Sequence, residues 1–140
     1  MKYVTQNPSI THAAARAIID AAVEAAGETS IAYAIAVVDA AGHLTAFIRM
    51  DGAPVMAAQV AQDKAYTAAG FGMSTEQWHE FIKDDAPLAL GAPTGVDRLV
   101  AFGGGIPITV DGHIVGGIGV SGGHWSDDIK IAGAGMTAIN

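Results

Sequence analysis

The residues best equipped for chemistry fall in two groups. Ser121, His124, Asp127 and Asp128 crowd the point where a β-type run gives way to a helix start. A histidine with carboxylates binds a divalent metal or works as a general acid/base pair, provided the side chains converge. The same residues also read as a plain helix start with a surface histidine, because aspartates complement a helix dipole, and no metal site is assigned. The second group is cationic: Arg49 ends a β-type run ahead of Met50-Asp51-Gly52, and Lys64 is the one cation of the helix that follows. Isolated cations beside glycine-rich backbone suit a bound carboxylate or enolate, which amides such as those of Gly105 and Gly122 also reach. Two plainer readings stay open, a solvated or ion-paired Lys64 and an Asp51–Lys64 tie between loop and helix.

The elements that must position these groups can be read from pattern. Phe102 to His124 contains two β-type runs around Asp111-Gly112, a strong hairpin signal because a type I′ turn needs positive φ at both central residues. If the second strand starts at His113, then Ile114, Gly116, Ile118 and Val120 share one face, and Val115, Gly117, Gly119 and Ser121 share the other. The second face is nearly bare. Bare strand faces receive a helix, another subunit or a ligand. Ile31 to Asp39 and His43 to Met50 form a second hairpin around Ala40-Ala41-Gly42. Ile10 to Ala26 reads as an alanine-rich helix, and Pro54 to about Ala69 as another, with Asp51 placed to accept from its free amides. Ser74 to Gln77 matches a capping box for a short helix through Lys83. Asp84 to Ala101, punctuated by Pro87, Gly91, Pro93 and Gly95, reads as a long loop. A last helix starts near Ser126, with Ile129, Ala132 and Met136 as its apolar stripe. The order α-ββ-α-α-ββ-α predicts one antiparallel sheet on helices, an α+β fold.

Composition limits what such a fold can do. The 140 residues suit a single domain, and 51% hydrophobic against 15% charged residues leaves little charge to solvate a monomer, so burial between subunits is expected. With net charge −7 and 7 basic residues, no basic cluster is available for nucleic acid. The absence of cysteine removes disulfides, thiolate nucleophiles and zinc-thiolate or iron–sulfur sites. The N-terminus shows no signal-peptide pattern and no run reaches the length of a membrane span, which predicts a cytoplasmic protein without membrane contact. Gly117 to Gly122 spells G-x-G-x-x-G, but within a strand rather than a strand-to-helix turn, so it is no dinucleotide fingerprint. The five histidines, His12, His43, His79, His113 and His124, are scattered. Haem needs one or two of them and apolar walls, for which Phe47, Phe71, Trp78 and Phe102 are available.

Taken together, VVDAAGHLTAFIRMDGAP from Val37, AQDKAYTAA from Ala61, GGGIPITVDGHIVGGIGVSGG from Gly103 and DDIKIAGAG from Asp127 resemble the GlcG/HbpS family, which includes the C-terminal domain of PduO-type adenosyltransferases. The resemblance covers nearly the whole chain. It implies a profilin-like fold, a five-stranded antiparallel sheet packed between helices, and homo-oligomers. Some members bind haem, and some secreted ones bind haem and iron as redox sensors; this chain lacks the signal and the acidic iron-binding helix of the latter. The R-M-D-G element maps onto Arg49, Met50, Asp51 and Gly52, the helix lysine onto Lys64, and the V-S-G turn onto Val120, Ser121 and Gly122. No haem ligand follows from the motifs. Two functions are therefore expected. One is a binding protein for haem or another planar carboxylated ligand, using Arg49, Met50, Asp51, Phe71, Phe102, Gly105, Ser121 and Gly122. The other is a cofactor-independent enzyme for a small anion, with Lys64, His124 and Asp128 as its catalytic groups.

Overall fold

A computed structural model describes residues Met1–Asn140. Its elements are α1 (His12–Gly27), β1 (Ala34–Asp39), β2 (Leu44–Arg49), α2 (Val55–Phe71), α3 (Thr75–Ile82), α4 (Ala86–Gly95), β3 (Gly105–Val110), β4 (His113–Ser121) and α5 (Trp125–Met136), closed by a 3-10 turn. The sheet is antiparallel and has four strands in the order β2-β1-β4-β3, not the five that the family resemblance implies. No segment adds a fifth ladder. The nearest approach is one hydrogen bond from the Ile10 amide to Val115 O, at 2.9 Å.

That bond has a local cause. Asp111 (φ 50) and Gly112 (φ 79) make the expected tight turn, but the register slips between Ile108 and Thr109, so Ile108 opposes Gly116 while Thr109 opposes Ile114. Val115 is the extra residue of a bulge, which leaves its carbonyl outside the ladder. The bulge also resets the alternation. Val115 joins Ile118 and Val120 in the main core, whereas Ile114 is displaced to the surface. The simple two-residue period that grouped Ile114 with Ile118 and Val120 therefore fails at this step.

The two faces of the sheet are packed differently. One carries Tyr33, Ile35, Val37, Ile108, Val115, Ile118 and Val120 against Ile18, Ile19 and Ala22 of α1 and Ile131 and Ala132 of α5. The other carries Ala34, Ala36 and Val38 against Ala57, Ala61 and Ala65 of α2. On that side Gly117 and Gly119 lie under α2 itself. A Cβ at Gly119 would overlap Ala61 O, and one at Gly117 would sit 3.0 Å from Ala69 N. The bare strand face thus receives a helix backbone.

Three helix boundaries depart from the pattern reading. Residues 84–101 contain α4: Asp85 Oδ1 accepts from the Leu88 amide at 3.3 Å, and Pro87 occupies the first turn, where a missing N–H costs nothing. Pro93 lies inside the helix, where the Thr94 hydroxyl donates to Leu90 O at 2.9 Å and reinforces the turn. Pro54, not Asp51, is the cap of α2, and no side chain caps it. His124, not Ser126, caps α5, accepting from the Ser126 amide at 3.2 Å. The capping box of α3 forms as read, with Ser74 and Gln77 exchanging bonds.

Candidate functional site

Lys64 lies mid-helix in the buried stripe of α2, between Ala61 and Ala68, and is 0% exposed. Burying an ammonium is costly unless every donor is matched. Its Nζ donates to Asp128 Oδ2 at 2.8 Å and to Val120 O at 2.9 Å, and it lies 4.9 Å from the centroid of the Phe102 ring. Asp128 is 2% exposed, and its Oδ1 accepts from the Gly123 amide at 3.0 Å. One ion pair thereby ties α2, the end of β4, the β4–α5 turn and the first turn of α5 together. Gly104 completes the enclosure, because a Cβ there would stand 2.6 Å from Nζ. Burial pushes the Lys64 ammonium below its usual pKa and the Asp128 carboxyl above its own, and their mutual contact works against both shifts. Burial and the nearby Asp127 and Asp128 also raise Tyr33.

The expected site residues are divided by this geometry. Lys64, Asp128 and Phe102 come together, with Gly105 beside them: its amide donates to Thr75 Oγ1 at 2.9 Å, and a Cβ there would meet the Lys64 backbone. Ser121 and Gly122 follow Val120 into the turn that Asp128 holds, and Ser121 is opposite Ala34. Arg49 is opposite the same Ala34 but on the other side, at the outer edge of the sheet. That is two strand spacings from β4, about 10 Å. Its Nη1 donates to Ala53 O at 2.8 Å. Met50 packs against the main core, and its sulfur accepts from the Tyr33 amide at 3.5 Å. Asp51 is exposed and makes no ion pair, so the Asp51–Lys64 tie does not form. Phe71 ends α2 about 10 Å along the axis from Lys64, its ring tilted against Trp78 with centroids 4.8 Å apart. His124 is exposed, with Nδ1 2.8 Å from Ser126 Oγ.

Outside the pair, the surface opens into two adjoining grooves. One of 160 Å³ is lined by Glu76, His79, Glu80, Phe102, Gly103 and Trp125. A wider one of 430 Å³ runs past Ile82, Leu99, Val100 and Ala101, and shares His79 and Phe102 with the first. His79 was one of five scattered histidines in the sequence. Its place here depends on α3 and α4, and α4 was not legible.

The profile of the family described as haem-degrading protein HbpS-like matches residues 10–137. The chain belongs to the HbpS-like family. Protein GlcG of Escherichia coli K12 is 39% identical over 107 residues, covering 76% of this chain and 77% of that protein. A crystal structure of a double mutant of HbpS from Streptomyces reticuli superposes with a TM-score of 0.89 at 31% identity, covering all of this chain (100%) and 93% of the other. A crystal structure of the PduOC:heme complex gives a TM-score of 0.87 at 30% identity over 94% of this chain and 96% of that one. The α+β fold described above, an antiparallel sheet with flanking helices, is thus shared with these two structures.

Proposed function

We propose that the protein binds haem, or another planar ligand with carboxylates, in the apolar groove between α3, α4 and the segment leading into β3. The observation that carries this reading is the junction of the two grooves at His79 and Phe102. The lining fits such a ligand. The His79 imidazole would hold the haem iron between hydrophobic walls from Ile82, Leu99, Val100 and Phe102, and Lys83 at the rim, paired with Glu80, would have to exchange that partner to meet a ligand carboxylate. At 430 Å³ the wider groove lies within the usual range for small-molecule sites, about 300–1,000 Å³. Bound haem would supply redox and oxygen chemistry, and the groove's residues would hold and orient it. The haem complex of the PduOC relative adds support. The alternative, acid/base catalysis by Lys64, His124 and Asp128, is less favoured because two of those three groups are sealed from solvent. Phe81, Leu90 and Val96 stand exposed around α3 and α4 and suit the contacts of a homo-oligomer.

Hemin titration tests the reading. A saturable Soret band should form, and His79→Ala should shift its maximum and weaken binding by at least tenfold. Non-saturating binding, or a spectrum unchanged in His79→Ala, removes haem ligation at this groove.

A further inference from the structure

The sheet has one undefended edge. Of its two outer strands, β3 carries Pro107, which has no N–H to offer a further strand. β2 has no proline, and a bulge disturbs only its start, where Val37 faces Ala46 but Val38 faces Leu44. From Ala46 onward the alternation is regular. The Met50 amide donates to Tyr33 O at 2.9 Å, so Ile48 and Ala46 bond inward to β1, while the N–H and C=O of Phe47 and Arg49 point outward. Phe47 and Ile48 are exposed beside them. These backbone groups are aligned for an added strand, a configuration that folded proteins rarely leave open.

The chain also carries an unused segment of the right kind. Residues 1–9 are exposed and take part in no backbone–backbone hydrogen bond. Attachment to the body begins where the Ser9 hydroxyl accepts from the Ala40 amide at 3.0 Å and the Ile10 amide donates to Val115 O. Tyr3, Val4 and Thr5 are all strand formers, and Tyr3 and Val4 are 90% and 79% exposed. Pro8 disfavours helical backbone at Asn7 and stiffens the exit from the body. Charge agrees with this use. The segment holds Lys2 and no acidic residue, in a chain of net charge −7.

We infer that residues 2–5 of one copy add antiparallel to the β2 edge of a second copy, and that two copies exchange these segments about a two-fold axis. Placing Tyr3 across from Arg49 aligns Thr5 with Phe47, Val4 with Ile48, and Lys2 with Met50. In that register the backbone groups of Tyr3 and Thr5 meet the outward groups of Arg49 and Phe47. The Tyr3 ring lies by a guanidinium, and two aliphatic side chains pair. Lys2 comes within one position of Asp51, which is exposed and makes no ion pair in its own chain. Reciprocal exchange satisfies both edges at once and closes the assembly.

The lack of cysteine gives a clean test. Val4→Cys with Ile48→Cys in one full-length chain places thiols at directly opposed positions of different copies, in a non-hydrogen-bonded pair close enough for a disulfide. Mild oxidation should give a covalent dimer on non-reducing gels, with the bond between positions 4 and 48 located by peptide mass. A monomer with that disulfide inside one chain would put the segment on its own edge, and persistent free thiols would leave the edge unpaired; either result overturns the inference. Thr5→Pro gives an independent reading. It removes an amide donor at an exposed position, so circular dichroism should not change, while the dissociation constant from sedimentation should rise about tenfold, the size of one hydrogen bond. Unchanged association also overturns the inference, because the copies would then meet elsewhere. Hemin takes no part in either measurement, so failure here leaves the first site untouched.

Discussion

The two faces of the sheet reach the same density by opposite means. Against α1 and α5 the sheet presents Ile35, Val37, Ile118 and Val120, large side chains that fill space. Against α2 it presents Ala34, Ala36, Gly117 and Gly119, and the helix meets the strands almost backbone to backbone. The first face loses stability when atoms are removed. The second loses it when atoms are added. A charged pair is also tolerated on the second face, because Lys64 extends along the surface that the small residues leave free, past Val120 O at the end of β4, and reaches Asp128 in the first turn of α5.

The largest expected effect tests the thin face. Gly119→Val places branched carbons into the Ala61 carbonyl, which belongs to a helix backbone and cannot rotate away. The cost should exceed the roughly 1–3 kcal/mol usual for overpacking, and circular dichroism with gel filtration should find little folded protein at 25 °C. Native-like melting would show that α2 can lift from the sheet, and the contrast between faces would disappear.

The ion pair comes next. Lys64→Met leaves Asp128 buried without its cation and should cost about 3–5 kcal/mol, whereas Lys64→Met with Asp128→Leu should recover most of that loss. A double variant as unstable as the single one would mean that Val120 O and the Gly123 amide, not the charges, carry the tie. The pair also has a pH signature. Lys64 is lowered from 10.5, so between its folded pKa and 10.5 the unfolded chain holds the extra proton and stability rises with pH. Asp128 is raised from 3.8, so its contribution is complete below 3.8 and is lost as pH rises through its folded value. The stability difference between wild type and the double variant should accordingly be least favourable to wild type between the folded-state pKa values of Asp128 and Lys64, as read by urea midpoints across pH. A flat difference would discard the desolvation argument.

The smallest effect sharpens the thick face. Ile118→Val removes one methylene from a fully buried site and should cost about 0.5–1.5 kcal/mol. A larger loss would mean that this side is packed as rigidly as the other.

How much of this was legible in the chain depends on range. Local chemistry reads well: the Asp111-Gly112 turn, the Ser74 capping box and the Gly42 turn need only neighbours, and all three form as expected. The glycine-faced strand was visible too, although its occupant was not. The α4 helix was missed because Pro93 and two glycines outweighed the Asp85 cap and the first-turn Pro87, both favourable signals. The Val115 bulge was missed because alternation alone carries no register slip. The Lys64–Asp128 pair spans 64 positions, and no local rule joins them. One signal did exist. Asp128 precedes Ala132 and Gly135 on the inward stripe of α5, and a carboxylate in an apolar stripe requires a cation, of which α2 offers only one.

Strand β4 is paired on both edges, by β1 and β3, and is covered on both faces. No partial opening of the molecule exposes it without first removing a neighbouring strand or a helix. Its central amides should therefore exchange with solvent deuterium only through global unfolding, making them a direct gauge of total stability, while α4, exposed along most of its length, opens and recloses many times within the same interval.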